Sequence, residues 1–527
     1  MIKFVNKAKL NIHILIFAIP SLVVGYLGLN RPYYFTPDQD LLWVSQSMRL
    51  FKGLAPSYAD HPGSYWPLSF LIKIFIFSET GISNFLDQKG SGSLEVIEKL
   101  IYFSRIENAI ISALIPILFY FLLKEFKIGN KVAFVSSYSL AFSSAILNTV
   151  SDIRHENIGI FFLMLYLILT CKQISSKRSS THKKISLFIN PLLFYASIFS
   201  KQQILILSPF LLLIFLYALK LKNFAYYQYL INKLTKKNIS KVFIFFMISG
   251  IPWIFISLEE ITKFGFFYLI NLPFWCFINS FLVLVMFGSI LEKVKVQNFL
   301  KNLFALSLLQ IIIFEILSPN IWRRAVTAFP AYLFPFSSLN DKKLQIIEKF
   351  NDIFYLLDQA SRNLSWPQNL GFLFFMIILI FTIYKIYLSF KNKIYPNLKD
   401  YSISLIFLLF GILSLRYQDF YQIYFFIPIL FLISISLSKG ITSGTKKKEK
   451  LIRTNFLFFA SLILLISFSI KSTINIFKLN EFVSTIQSEK SFCYPQALDF
   501  SMGNTILAEC KNFEEESAKK IRFDNWY

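Results

Sequence analysis

Apolar runs of near-spanning length recur from one end of this 527-residue chain to the other. About thirteen are countable, near 12–29, 108–123, 132–147, 158–171, 185–199, 204–219, 242–258, 270–290, 303–317, 370–388, 401–415, 421–437 and 455–470. Backbone placed in an apolar medium must satisfy its N–H and C=O groups within the segment, which makes these runs helices. With 55% hydrophobic residues and only 30 acidic ones, the chain has little polar surface to offer water. The expected fold is an all-α polytopic membrane protein: a bundle of about 13 transmembrane helices with a long first outer loop of interfacial helices. Lys3, Lys7 and Lys9 precede the first run, but no small-residue cleavage site follows it, so it is expected to stay as the first helix.

The formal net charge of +24 would suit nucleic acid if it were gathered on one face. Instead the basic residues fall in alternate loops, among them Lys124/Lys127/Lys131, Lys233/Lys236/Lys237 and Lys446/Lys447/Lys448. That alternation follows the positive-inside rule and excludes a nucleic-acid partner. It puts the amino terminus in the cytoplasm and the carboxyl terminus outside, in a multi-pass plasma (inner) membrane protein. Residues 1–470 form the membrane domain, with a first outer loop at 31–107 and a second outer region at 318–369, and 471–527 form a small outer tail. Within the second region, 325–336 is expected to be re-entrant or to lie on the outer face, because a crossing there would turn Lys446, Lys447 and Lys448 outward. Cys171 and Cys276 sit in or beside apolar runs as packing residues, whereas Cys493 and Cys510 lie on the oxidising side, where a structural disulfide can form.

Two carboxylates mark the first outer loop, in the run Thr36-Pro37-Asp38-Gln39-Asp40. One account of them is purely structural. Thr36 is a good N-cap, Pro37 suits the first helical position, and Asp38 and Asp40 complement the helix dipole. The other makes one carboxylate a general base toward an acceptor hydroxyl or amine. Residues two apart on a helix do not face each other, so Asp38 and Asp40 share a divalent metal only if the backbone there is not helical. No other cofactor is expected.

Other polar groups lie at the outer boundary. His61 follows Asp60 and is either an ordinary loop histidine or, protonated, a phosphate ligand. The turn 151–157 packs Asp152, Arg154, His155 and Glu156 between two apolar segments, as a self-neutralising network or as the lining of the same cavity as Asp38. Lys201 either snorkels outward or neutralises a lipid phosphate. Arg416, followed by Tyr417, either pairs with Asp419 or holds a phosphate leaving group. The sequence has no P-loop, dinucleotide turn, His/Cys metal cluster or serine-type triad.

The runs from Pro37 to Arg49 and from Asp60 to Leu68 resemble the first outer loop of the GT-C superfamily of polyprenol-phosphate-dependent glycosyltransferases. The likeness is to the protein mannosyltransferase and aminoarabinose transferase branch. The resemblance implies a GT-C-like bundle in which Asp38 is the catalytic aspartate and His61 stands at the donor-phosphate position. Gln39 and Gly63 depart from the pattern, which calls for an acid and a proline there. Lys201 and the Arg416–Tyr417 pair are similar to weaker features of the family.

The resemblance implies an inverting sugar transferase. Its partners would be a polyprenyl-phosphate sugar donor, membrane lipids and a glycan, lipid or protein acceptor. Asp38 and Asp40 would be catalytic; His61, Lys201, Arg416, Tyr417, Asp152, Arg154, His155 and Glu156 would bind substrate or phosphate. Two alternatives use the same features. One is an O-antigen-type oligosaccharide polymerase dependent on Arg323, Arg324 and Arg362, and the other is a flippase or secondary transporter with ionisable groups near the bilayer midplane.

Overall fold

The computed structural model describes residues 12–29, 40, 43 and 93–175, together with single positions or short runs within 189–204, 305–312 and 423–434. The described chain is helical. A 3₁₀ helix, Ile12–Ala18, leads into α1, Ile19–Leu29. The others are α2 (Ser93–Glu125), α3 (Asn130–Ala141), α4 (Ser144–Leu147) and α5 (His155–Ser175). The chain divides into two compact units. The first comprises Met1–Phe119, Phe134–Phe161 and Thr445–Tyr527, and the second Tyr120–Ala133 and Phe162–Gly444.

Four of the expected spans are described along their length, and two of them are long and apolar enough to cross a membrane: Leu100–Glu125 within α2 and His155–Lys172 within α5. The first expected span, 12–29, is a short α-helix behind a 3₁₀ segment. The third, 132–147, is broken. α3 ends at Ala141, and only the four residues of α4 follow. The break has a local cause, since Ser143 turns its Oγ onto the Leu140 carbonyl (2.7 Å) and Thr149 turns its Oγ1 onto that of Ile146 (2.8 Å). Such side-chain bonds compete with helical propagation.

The bundle of about 13 transmembrane helices is therefore corrected to two helices of spanning length and composition among the described residues, and the multi-pass inner-membrane placement is corrected with it. Apolar length cannot by itself separate a core helix from a span: 72% of the apolar window in α5 is buried inside the protein. The expected spans 242–258, 270–290, 370–388, 401–415 and 455–470 lie outside the described residues, and 185–199, 204–219, 303–317 and 421–437 are described only at scattered positions or short runs. The outer region 318–369, the tail 471–527, Cys276, Cys493 and Cys510 lie outside them too.

In the first unit α1 and α2 run antiparallel in close contact. A β-carbon on Gly25 would collide with that of Ala109, and one on Gly28 would lie 2.5 Å from Ser151 Cβ. The glycines are what lets the backbones approach. The same level of α2 carries Arg105, whose Nη1 donates to the Gly28 carbonyl at 3.2 Å. Phe17 is fully buried and packs on Phe134, ring centroids 5.0 Å apart.

In the second unit α2 ends on a Schellman motif: Ile128 N–H reaches the Leu123 carbonyl (3.2 Å) and Lys127 N–H that of Lys124 (3.0 Å). Lys127 takes the left-handed conformation this demands, with φ 58°. The core of this unit includes Phe126 edge-on to Phe431 (4.9 Å) and Tyr166 against Phe194 (5.0 Å). Cys171 is buried, and Lys172 lies 3.8 Å from Glu125.

Candidate functional site

Polar residues of α2 point inward. Ser104, Arg105, Asn108 and Ser112 recur at helical spacing on one stripe, and all are buried. This stripe receives the non-helical connection before α5.

Arg105 spends its guanidinium on Asp40. Nη2 donates to Asp40 Oδ2 at 2.6 Å and Nε to the same oxygen at 3.1 Å, while the Asp40 Oδ1 accepts the Ile153 N–H at 2.7 Å. Asp40 is fully buried and Arg105 2% exposed. Burial pushes the Asp40 carboxyl above its ordinary value of 3.8; the attraction of Arg105 opposes this, the negative charge of Asp152 adds to it, and the Ile153 N–H works against it. One carboxylate thus joins α2 to the 151–154 connection, and through Arg105 to the end of α1.

Asn108 organises the rest of the connection. Its Nδ2 lies within hydrogen-bonding distance of the carbonyls of Thr149 (2.8 Å), Val150 (3.2 Å) and Asp152 (2.6 Å). Asn157, in the first turn of α5, donates to Ser112 Oγ at 2.7 Å and to the Thr149 carbonyl at 3.1 Å. These bonds satisfy carbonyls that a non-helical turn would otherwise bury unpaired.

The connection and the first turn of α5 hold Asp152, Arg154, His155 and Glu156 at 9% exposure or less. Arg154 Nη2 meets Asp152 Oδ2 at 3.5 Å, a longer contact than the Arg105–Asp40 pair. Trp43, three residues after Asp40 in sequence, stands edge-on to the His155 ring at 3.9 Å between centroids and 89° between planes. Two acidic side chains, Asp40 and Asp152, thus meet two guanidiniums, Arg105 and Arg154, and the buried Glu156 follows in the first turn of α5.

Of the residues expected from sequence, Asp40 joins the 152–156 group through the Ile153 N–H. Lys201 is buried but belongs to the second unit. Asp38, His61, Arg416 and Tyr417 lie outside the described residues. Arg105, Asn108 and Trp43 were not singled out as site residues from sequence, although Arg105, Asn108 and Ser112 form a readable polar stripe on an otherwise apolar helix. Among the described residues no group of three His, Cys, Asp or Glu side chains is arranged to hold a metal ion.

No family model matches the chain, and no curated protein is similar to it. The resemblance to the GT-C superfamily is thus corrected: it rests on two short runs of the first loop, and neither a family match nor the many-helix bundle accompanies it. The expectation of a lipid-phosphate-dependent glycosyltransferase is corrected likewise, together with the polymerase and flippase alternatives, because the described helices lack the many-span architecture those activities need.

Proposed function

We propose that the segment 152–156, where the connection enters α5, is a binding site for a small ligand rich in hydrogen-bond donors, such as a hydroxylated or ammonium-bearing molecule. The observation that carries it is the burial of Asp152, Arg154, His155 and Glu156 within one short run beside the Asp40–Arg105 pair, so many ionisable groups being costly to hold away from water without a purpose. Asp152 and Glu156 supply acceptors, Arg154 orients Asp152, and His155 with Trp43 forms an aromatic wall. Asp40 is a positioning residue here, since both of its oxygens are engaged in holding the connection. Buried acidic groups disfavour a phosphate at the same place.

Thermal denaturation of the purified full chain tests this with three probes: a monosaccharide panel, spermidine and inorganic phosphate. A donor-rich probe should raise the wild-type Tm by a few degrees, and the shift should vanish in Glu156→Gln. Stabilisation by phosphate alone, or an equal shift in wild type and variant, would overturn the assignment.

A further inference from the structure

The helices α1 and α2 are amphipathic in the inverse sense. Every exposed residue between positions 15 and 29, and between 100 and 119, is aliphatic or tyrosine. On α1 and the 3₁₀ turn before it these include Leu15, Ile19, Leu22 and Val23, from 44% to 53% exposed. On α2 they are Ile110 and Leu114, with Tyr102 nearer its start. Among the described side chains between 15 and 29 and between 100 and 119, the polar residues Ser21, Ser104, Arg105, Asn108 and Ser112 are buried and Glu107 is part-buried. A helix facing water shows the opposite arrangement, with polar groups outside.

We propose that this outer face of α1 and α2 meets the acyl chains of lipids. Three observations favour lipid over a second protein surface. A protein-binding patch carries a polar rim, and among the described residues from 15 to 29 and from 100 to 119 no exposed position is polar beyond the tyrosines. Because Gly25 lies against Ala109 and Gly28 against Arg105, the antiparallel pair brings Tyr26 and Tyr102 to the same end, the end that also holds the Asp40–Arg105 pair. Tyrosines gathered at one end of an apolar face suit a headgroup boundary. Finally, Lys3, Lys7 and Lys9 precede this segment in a chain of net charge +24, which suits anionic headgroups.

Nitroxide labels at Ile19→Cys, Leu22→Cys and Val23→Cys test the assignment, in a full-length chain whose four native cysteines are replaced by alanine. The chain is reconstituted in vesicles of 3:1 phosphatidylcholine and phosphatidylglycerol, with Lys127→Cys as a water-facing control. Collisions with oxygen should exceed those with a nickel chelate at 19, 22 and 23, and the order should reverse at 127. A nickel preference at the three helix positions would mean that water covers the face and would overturn the proposal. Low collision rates with both reagents would mean that protein covers it, and would overturn it equally. Because the cysteine replacements themselves can disturb folding, a photoreactive benzoylphenylalanine at Leu22 in the otherwise native chain gives an independent measure. It should yield lipid adducts, and protein cross-links alone would refute the assignment.

Discussion

Arg105 and Asp40 form a buried ion pair that ties together three points far apart in sequence. The guanidinium meets the carboxylate at 2.6 Å and also donates to the Gly28 carbonyl, and the other carboxylate oxygen holds the Ile153 N–H. Such a pair adds little net stability over an apolar replacement, yet losing one partner leaves a charge buried alone. Arg105→Met and Asp40→Leu should therefore each cost about 3–5 kcal/mol in chemical denaturation. The double variant should cost clearly less than their sum, and strict additivity would mean that the two side chains do not depend on each other.

The pH dependence follows from the same carboxyl. Burial raises its folded-state pKa above the ordinary 3.8, so the native state binds the proton more tightly than the unfolded chain does. The contribution of Asp40 to stability is then fullest below that ordinary value and is lost as pH rises toward the folded pKa. The unfolding free energy of wild type, minus that of Asp40→Asn, should shrink as pH climbs from about 3 toward neutrality. A difference that grows over that range would show that the Arg105 charge, and not burial, dominates the titration.

Part of this site was legible in the sequence. The turn 151–157 stood out because four ionisable residues interrupt apolar helices, and Asp40 because it lies in an acidic run. What sequence missed was the other side of the contact. Arg105 and Asn108 fell at the margin of an expected span beginning at 108, where a long loop was expected before it, whereas one helix runs from Ser93 to Glu125. The number of spans failed for a different reason. Apolar length and composition are shared by core helices and by lipid-facing ones, and only burial separates them, as the 72% buried window in α5 shows. The serine-driven break at Ser143 is a local competition that hydropathy does not register.

Asn108 offers a test of chemistry over size. Its amide group donates toward three backbone carbonyls, so Asn108→Ala should destabilise by about 2–3 kcal/mol as those carbonyls lose a donor. Asn108→Asp keeps the shape but points a carboxylate at the same carbonyls, which share its partial negative charge. At neutral pH it should be the less stable of the two variants, with part of the loss recovered on acidification. If the aspartate variant matches the wild type in urea unfolding, the amide does not hold the connection.

The approach of α1 to α2 makes the last prediction the most local. A β-carbon at Gly25 would strike Ala109 Cβ, whereas one at Gly28 would meet the side chain and also the backbone of Ser151, with Cα at 2.8 Å and O at 3.1 Å. Overpacking of this kind typically costs about 1–3 kcal/mol. The main obstacle facing residue 25 is the Ala109 methyl group, with the Val150 side chain next at 3.2 Å, and removing the methyl should restore most of the space: Gly25→Ala should be rescued, at least in part, by Ala109→Gly, less the helix-propensity cost of about 1 kcal/mol for the new glycine. Gly28→Ala has no such remedy. Replacing Ser151 by glycine removes the β-carbon but leaves the Cα and carbonyl oxygen in the way, so stability should stay low in that pair. Equal rescue at both positions would mean that α1 shifts as a whole to make room, and that the contact with Ser151 does not fix its distance from the connection.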